Sequence, residues 1–234
     1  MSGVVMPPSG DLAAAFALAG GLGAPEPEAR PALETECVVR RVPRGQELRQ
    51  DVAAGFIARG YGARYIAHGG GRAAVAGLLI PGDSFGLGRA RPLDRCALIS
   101  LTPLEAVALD DPMSLDVAWP GLAAALQAAR VLEESRLLRQ IARLAWRSAE
   151  ARLCDLFLEL KDRSFRADLN QAGAFPMPLT QSQLGEVTCL SIVHVNRVLQ
   201  QLRAHRLLML RDGWMTLLDT DSMVARAELA TSNE

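Results

Sequence analysis

The sequence has no long hydrophobic run, and this absence argues against a membrane protein. An uncharged N-terminal stretch, residues 12–25, is fourteen residues long, which is too short to span a bilayer as a helix. No Lys or Arg precedes Arg30, so the basic region of a secretory signal peptide is also missing. We therefore expect a cytoplasmic protein with no membrane partner, in which residues 1–30 form a mobile tail.

Cysteine and histidine are scarce, which leaves few ligands for a metal or a cofactor. None of the four cysteines lies in a CxxC pair or next to a histidine: Cys37, Cys96, Cys154 and Cys189. Zinc sites, iron–sulfur clusters and disulfide scaffolds need closer spacing. We expect no metal and no cofactor, and we expect the cysteines to be small core side chains in a reducing compartment.

The motifs of common enzyme classes are missing or out of context as well. The sequence contains no Walker A motif, no GxGxxG and no HExxH, and GDSFG, residues 82–86, matches GxSxG only within a predicted turn between short strands and not before a helix. The run Gly69-Gly70-Gly71 is not followed by a helix start with Lys, so a hairpin turn explains it better than a phosphate-binding loop. The sequence therefore does not indicate an enzyme.

Charge of neither sign dominates the chain. Lys and Arg number 25 against 26 for Asp and Glu, which gives a formal net charge of -1. Half of the residues are hydrophobic and 22% are charged, as in a soluble globular protein. Because there is no polybasic tail, any surface that binds nucleic acid has to be a local cluster.

Short apolar runs separated by turn residues fill the region from about Cys37 to Leu109. The turn signals include Pro43-Arg44-Gly45, Gly60-Tyr61-Gly62 and Pro81-Gly82-Asp83. Short strands with such regular punctuation predict a β-barrel or a β-sandwich. The runs are Cys37–Val39, Gly55–Ala58, Arg64–Ala67, Ala73–Ile80, Cys96–Leu101 and Ala106–Leu109.

The periodicity becomes helical after Pro120-Gly121. No Gly or Pro occurs from Leu122 to Trp146, and apolar residues recur at helical spacing, which predicts one helix of about 25 residues and roughly 37 Å. An apolar stripe of this length needs a partner, which is either its own sheet or the same helix of a second subunit. A second helix is predicted from Ser148 to about Lys161, followed by a polar loop from Asp162 to Ala174.

Residues 179–205 have the pattern of two short helices joined by a turn. Thr180 with Gln183 matches the capping box that begins a helix. Thr188-Cys189-Leu190 predicts a tight turn, and Ser191 is a good N-cap for a second helix that runs to about His205. On that helix an apolar face is predicted to lie in the core: Val195, Val198, Leu199 and Leu202.

A hairpin is predicted immediately after these helices. Two apolar runs, Leu207–Leu210 and Trp214–Leu218, flank Arg211-Asp212-Gly213, and Asp-Gly between such runs favours a hairpin. Between Pro176 and Arg211 there are four Arg and one acid, Glu186, so positive charge is concentrated here in a chain of net charge -1. The plan is that of a winged helix-turn-helix with a basic surface, which is typical of DNA binding.

The order of barrel, long helix and winged helix resembles the Crp/Fnr family of bacterial transcription regulators over about residues 31–220. The segment LTQSQLGEVTCLSIVHVNRVLQQLRAHRLL resembles the family's DNA-binding signature, and IPGDSFGL resembles a loop at the end of its sensor barrel. RSAEARL, residues 147–153, resembles the start of its DNA-binding domain.

The resemblance implies an α+β protein in three functional parts. These are a jelly-roll-like β-barrel sensor domain of the cyclic-nucleotide-binding type (31–119), a dimerisation helix (120–146) and a winged helix-turn-helix domain (147–234). It further implies a homodimer that binds double-stranded DNA and contacts RNA polymerase. The implied dimer interface consists of Leu126, Ala129, Leu137, Ile141 and Leu144.

The recognition helix departs from the family pattern. Members usually follow this Ser with Arg-Glu-Thr, a small residue and Arg, whereas here Ser191 is followed by Ile192-Val193-His194-Val195-Asn196-Arg197. Ile192 and Val193 cannot hydrogen-bond to a base but could contact a thymine methyl group, while Arg197 keeps its place and could read guanine. The candidate DNA-binding residues are Thr180, Gln181, Ser191, Ile192, Val193, His194, Asn196, Arg197, Gln200, Arg203 and Arg211.

The candidate effector pocket departs further. Cyclic-AMP-binding members have Glu after the Phe-Gly of this loop and Arg-Ser-Ala about ten residues later, whereas here Gly86 is followed by Leu87 and the later segment is Arg95-Cys96-Ala97. The missing carboxylate predicts that cyclic AMP does not control the protein, so the effector is unknown.

The sequence therefore predicts a sequence-specific regulator that acts as a homodimer on an inverted-repeat site. Two alternatives stay open: a ligand-binding or scaffold protein with a degenerate helix-turn-helix, and a regulator controlled by a cyclic nucleotide. Oxidation of Cys154 or Cys189 in the DNA-binding half is a further alternative to inert packing.

Overall fold

The computed structural model describes residues 37–48, 54–68, 72–86, 96–109 and 122–228. The chain divides into two compact units with the boundary between Arg136 and Leu137. The predicted tail 1–30, the glycine run 69–71 and two residues of the candidate effector pocket, Leu87 and Arg95, lie outside the described residues.

The strands of the first unit form two four-stranded antiparallel sheets. The first has the order β1 (Cys37–Val42), β8 (Leu104–Leu109), β3 (Ala54–Arg59) and β6 (Ser84–Phe85). The second has the order β2 (Glu47–Leu48), β7 (Cys96–Ser100), β4 (Gly62–His68) and β5 (Arg72–Leu79). The interleaved order arises because the chain crosses repeatedly between the two sheets, as in a jelly roll.

Both sheets contribute to one hydrophobic core. A Cβ atom on Gly55 would overlap Cζ of Phe85, so this aromatic ring occupies space that only a glycine leaves open. The buried cluster consists of Val42, Leu48, Ile57, Leu79, Phe85, Leu98, Leu104, Ala106 and Ala108. The alternating apolar runs therefore face inwards, and the predicted α+β fold with an N-terminal β domain is confirmed.

The turn Pro81–Gly82–Asp83 connects the barrel to the long helix within the first unit. The backbone N–H of Ile80 donates to Oδ2 of Asp83 at 2.7 Å, and Gly82 has a φ of +91°. The other carboxylate oxygen of Asp83 lies 2.6 Å from Nη1 of Arg136. Asp83 is buried, so one carboxylate orders the turn and holds the helix beside it.

Helix α1 begins at Leu122 and ends at Trp146, as the sequence predicts. A second ion pair, Arg64 with Glu133, connects its first half to β4. Neither α1 nor any other helix in the described part of the chain is long and apolar enough to cross a membrane.

Besides the end of α1, the described residues of the second unit form four helices and a three-stranded antiparallel sheet. The elements after α1 are α2 (Ala149–Arg166), β9 (Phe175–Pro176), α3 (Gln181–Thr188), α4 (Ile192–Ala204), β10 (Leu208–Arg211), β11 (Trp214–Leu217) and α5 (Thr220–Ala227). The sheet has the order β10-β11-β9.

Three features of this unit differ from the sequence-based expectation. Helix α2 continues to Arg166 instead of ending near Lys161, because the charges of Glu159 and Arg163 pair with each other and are both buried. Strand β9 and helix α5 were not predicted. Lys161 Nζ donates to Oγ1 of Thr220 at 2.9 Å, which holds α5 against α2.

A buried cluster of charged side chains joins the end of α1 to α2. Arg143 is 2% exposed, and its Nε donates to Oδ2 of Asp155 at 2.7 Å. Another guanidinium nitrogen of Arg143 donates to Glu159. Arg139 adds a bond of 2.8 Å to Oδ1 of Asp155, and Arg163 adds one of 2.7 Å to Glu159. We call Arg139, Arg143, Asp155, Glu159 and Arg163 the arginine–carboxylate cluster.

The cluster keeps its carboxylates ionised. Burial alone raises the pKa of Asp155, but the hydrogen bond from Arg139 and the charges of Arg143 and Arg139 outweigh it, and the pKa is lowered. Burial also raises the pKa of Glu159, but the nearby Arg163 and Arg143 cations lower it to below its usual range. A lowered pKa in the folded state means that these groups stabilise the fold above the unfolded pKa values of about 4.

We expect Arg143→Ala to lower the free energy of unfolding by about 3–5 kcal/mol at pH 7, because it takes the one fully buried cation away from two buried carboxylates that both pair with it. Urea unfolding followed by circular dichroism measures the change.

Arg166→Ala is the matched control, since Arg166 pairs with Asp162 on the exposed face of α2, the helix that carries the buried carboxylates. Its cost should stay below about 1 kcal/mol. The difference between parent and Arg143→Ala should shrink as the pH falls through the lowered pKa values, where the carboxylates become neutral. An Arg143→Ala variant as stable as the Arg166→Ala variant would contradict the role given to this cluster.

Candidate nucleic-acid interface

The first helix of the helix-turn-helix begins with the predicted capping box. The Oγ1 atom of Thr180 accepts a hydrogen bond from the N–H of Gln183 at 3.2 Å, and the Gln183 side chain accepts from the N–H of Thr180 at 2.8 Å. Two backbone donors that the helix leaves unpaired are thereby satisfied, which fixes the start of α3 at Gln181.

The turn after α3 needs a left-handed residue. Cys189 has φ +54° and ψ +43°, and its N–H donates to the carbonyl oxygen of Gly185. The N–H of Leu190 donates to the same oxygen at 2.9 Å. A Cβ on Gly185 would lie 2.6 Å from the Leu190 carbonyl oxygen, so the turn closes tightly over a glycine. Cys189 therefore carries the strain of a β-carbon at a positive φ.

Two side chains outside the helix pair hold the end of α3. The Nε2 atom of Gln140, on α1, donates to the carbonyl oxygen of Val187 at 2.7 Å. Arg152, on α2, donates to the carbonyl oxygen of Thr188 at 3.2 Å. These bonds satisfy carbonyls that a helix end leaves unpaired. Sequence reasoning did not identify Gln140 or Arg152, although a glutamine at helical spacing from Leu137 and Leu144 on the apolar stripe is a usable signal.

Helix α4 presents one face to the core and the other to solvent. Ser191 caps it by accepting a hydrogen bond from the N–H of His194 at 3.3 Å. The predicted inner residues, Val195, Val198, Leu199 and Leu202, are all buried. The cap and the apolar stripe together determine which side chains point outwards.

Most of the candidate DNA-binding residues lie on exposed surface. Val193 is 80% exposed and Ile192 is 53% exposed, the most exposed large apolar side chains of the helix-turn-helix. The other exposed candidates are Thr180, Ser191, His194, Arg197, Gln200, Arg203 and Arg211. Gln181 and Asn196 are half-buried.

Four of these side chains form two hydrogen-bonded pairs. The Nδ2 atom of Asn196 donates to Oε1 of Gln181 at 3.1 Å, which links the two helices at their outer edge. The Nη2 atom of Arg197 lies 2.5 Å from Nε2 of His194. A guanidinium can only donate, so the imidazole nitrogen is the acceptor side of this contact. His194 therefore holds Arg197 one turn into the helix.

The hairpin after α4 is a two-residue turn with the wing geometry expected from Asp-Gly. Asp212 has φ +52° and Gly213 has φ +79°, so both central residues are left-handed, as in a type I′ turn. The side chain of Arg211 is 83% exposed beside this turn, and its Nε lies 3.5 Å from a carboxylate oxygen of Asp212.

The candidate dimer residues differ in exposure. Ile141 is 63% exposed, whereas Ala129, Leu137 and Leu144 are half-buried. The side chain of Leu126 lies outside the described residues. Other apolar side chains of α1, which are not among the candidate dimer residues, are exposed: Val131, Leu132, Leu138 and Trp146.

The candidate effector pocket is only partly described. Gly86 follows β6 with φ +70°, and Cys96 begins β7. Their role in effector binding therefore stays a prediction. Within the described part of the chain there is no group of three or more His, Cys, Asp or Glu that could hold a metal ion.

The cysteines of the DNA-binding half have opposite surroundings. Burial, with the charge of Glu150, raises the pKa of the Cys154 thiol to about 12, and its Sγ lies 3.8 Å from Sδ of Met223. Such a thiol is protonated at neutral pH and is a core side chain. Cys189 is exposed in the turn.

Residues 151–226 match the family model of the Crp-like helix-turn-helix domain, so this segment belongs to that domain family. No curated protein matches the sequence.

The whole described chain has the Crp/Fnr fold, as the resemblance in sequence implied. The FixK2 structure from Bradyrhizobium japonicum has a TM-score of 0.71 and 19% identity, covering 83% of this chain and 99% of that one. A CRP/FNR-family transcriptional regulator from Thermus thermophilus has a TM-score of 0.60 and 19% identity, covering 82% and 98%. The c-di-GMP-responsive regulator CLP from Xanthomonas campestris has a TM-score of 0.59 and 19% identity, covering 80% and 96%.

We expect Cys189→Gly to stabilise the protein by about 0.5–1 kcal/mol, because glycine adopts a positive φ without the penalty that a Cβ brings, and its greater freedom when unfolded offsets only part of that gain. Thermal unfolding should show a higher Tm.

Cys189→Ala is the control, since alanine removes the sulfur but keeps the Cβ. It should bring no such gain. A similar gain from both substitutions would mean that the thiol, and not the backbone, is responsible.

Proposed function

We propose that this chain, which has the Crp/Fnr fold and a Crp-like helix-turn-helix domain, is a transcriptional regulator that binds a specific DNA sequence as a homodimer. The observation that carries the proposal is the outer face of α4, where Arg197 is exposed one turn after a capped helix start. A recognition helix enters the major groove with its first turns against the base edges. We do not assign it an enzymatic activity.

The charge of this surface supports DNA as the partner. Arg197, Arg203, Arg206 and Arg211 are exposed, and the one acid between Pro176 and Arg211 is Glu186. Arg197 lies on the recognition helix and Arg211 beside the wing turn, so we expect the first to contact bases and the second to contact phosphates. A local excess of cations in a chain of net charge -1 favours binding to a phosphate backbone.

The exposed apolar face of α1 supports a homodimer. Val131, Leu138 and Ile141 are each more than half exposed, and their spacing of seven and then three residues places them on one coiled-coil seam. Leu132 lies one position beyond Val131 and falls outside this repeat. A two-fold axis along α1 would place two recognition helices in successive major grooves about 34 Å apart, so the DNA site should be an inverted repeat.

The control of this regulator is a separate part of the proposal. We expect that cyclic AMP is not the effector, since Leu87 stands where cyclic-AMP-binding members carry a carboxylate. Similarity to a c-di-GMP-responsive regulator keeps another cyclic nucleotide as an alternative. RNA polymerase is the further partner that the proposed role in transcription requires.

The scaffold alternative rests on Ile192 and Val193, which could instead contact a protein. Binding to heparin or random-sequence DNA at low salt separates the two, because counterion release gives a DNA-binding surface a nonspecific affinity that falls steeply with salt. A scaffold would bind neither polymer.

We expect Arg197→Ala to cost about 1–3 kcal/mol per half-site and to relax base preference at one position, because it removes a base contact. Gel-shift titrations on a selected site and a scrambled one measure both effects. Parent-like affinity of Arg197→Ala for the selected site would contradict base reading by this helix.

Arg211→Ala is the matched comparison for that experiment. It should weaken binding to both DNAs about equally and lower the salt slope by about 1 per half-site, as expected for a phosphate contact.

We expect Leu138→Glu with Ile141→Glu to convert a dimer into a monomer, because the seam would then bury unpaired charges at a cost of several kcal/mol each. Sedimentation velocity at micromolar concentration measures the oligomeric state.

Leu132→Glu places the same charge on an exposed apolar position outside the seam, and this variant should stay dimeric. An unmodified protein that sediments as a monomer would contradict the dimer, and a monomeric Leu132→Glu variant would contradict the seam.

A further inference from the structure

The first turn of the recognition helix presents an apolar patch to solvent. Ile192 and Val193 are adjacent, are 53% and 80% exposed, and directly follow the N-cap Ser191. Their side chains carry no hydrogen-bonding atom, so they cannot read the donors and acceptors of a base edge. The exposed parts of these two adjacent side chains do not pack into the core, and together they form a small apolar surface at the end of the helix that a partner can cover.

The groups around this patch indicate which partner covers it. Arg197 lies four residues after Val193, so the two lie one above the other on the same face of α4. The exposed Arg203 lies further along the same helix, and no acidic residue occurs on α4. A patch on an acid-free, arginine-bearing helix face is complementary to DNA and not to an ordinary apolar protein surface.

The major groove offers one apolar group to such a patch. Among the base edges, the C5 methyl group of thymine is the one that aliphatic side chains contact. We propose that Ile192 and Val193 recognise the C5 methyl of a thymine in each half-site. The methyl group of this thymine, and not only the hydrogen-bonding groups of the base edges, then determines which DNA site is bound. This inference rests on the proposed function and adds the chemistry of its specificity.

The helix geometry places this thymine relative to the guanine read by Arg197. Four residues of α-helix rise by about 6 Å. Successive bases along one strand lie about 3.4 Å apart. The thymine should therefore lie about one to two base pairs from the guanine, and selected sites should contain both at that spacing.

Replacing thymine by uracil tests the proposal because it removes only the methyl group. The site is obtained by in vitro selection with the unmodified protein, and each thymine is then replaced by deoxyuridine, one position at a time. One buried methylene-sized group corresponds to about 0.8 kcal/mol, and about 1.4 kcal/mol to a tenfold change. We expect about fourfold weaker binding per half-site at one thymine near the guanine, about sixteenfold when both half-sites are changed, and no effect at distant thymines.

A double-mutant cycle shows whether Val193 makes the contact. In Val193→Ala, which removes two methyl groups from an exposed side chain, the uracil substitution should no longer weaken binding. Val224→Ala makes the same change at a 43% exposed position on α5 and should keep full sensitivity to uracil. Circular dichroism melts of both variants should match the parent.

The outcomes separate the inference from the proposed function. DNA binding that is insensitive to uracil at every thymine, or uracil sensitivity that persists in Val193→Ala and in an Ile192→Ala variant, overturns methyl recognition while leaving a DNA-binding regulator in place. Failure to bind any DNA at low salt overturns both.

Discussion

The buried guanidinium of Arg143 is the contact on which the second unit depends. It lies between Asp155 and Glu159 of α2 and also donates to Oε1 of Gln140, whose own amide donates to the end of the first helix of the helix-turn-helix. The last turns of α1, helix α2 and helix α3 are thus connected through directed hydrogen bonds. Because a guanidinium donates in a fixed planar fork, these bonds also fix the rotation of α1 about its own axis, which apolar packing alone would leave less defined.

This arrangement places the end of α1 in the same compact unit as the recognition helix. Leu138 and Ile141, on the seam of the proposed dimer, belong to the unit that contains Arg197. The distance between two recognition helices in such a dimer is then set mainly by rigid elements of one unit. The spacing of two half-sites on DNA is a demanding length requirement, and a hydrogen-bonded cluster meets it better than a flexible joint after Trp146 would.

Sequence patterns predicted those features that local chemistry controls. The bounds of α1, the capping box at Thr180 and the Asp-Gly turn all depend on a few neighbouring residues.

The missed features depend on contacts between distant segments. The polar residues after Lys161 have the composition of a loop, but the buried ion pair between Arg163 and Glu159 allows the helix to continue through them. Helix α5 is stabilised by contacts with α2. The inner face of α1 was read as an apolar stripe, although its most buried members, Gln140 and Arg143, are polar. The N-cap and the apolar repeat of α4 predict which of its side chains point outwards. The hydrogen bond between Asn196 and Gln181 depends on how α3 and α4 pack against each other, so the sequence pattern did not predict it.

The small sheet of the winged domain also has a consequence for solubility. A strand at the edge of a sheet exposes unpaired backbone groups that can recruit a strand from another molecule. Here the edge strand β9 is two residues long, and Pro176 has no N–H to offer. That edge cannot propagate pairing from one molecule to the next. In the proposed dimer, two copies of the domain can therefore meet at their β9 edges without their sheets joining there.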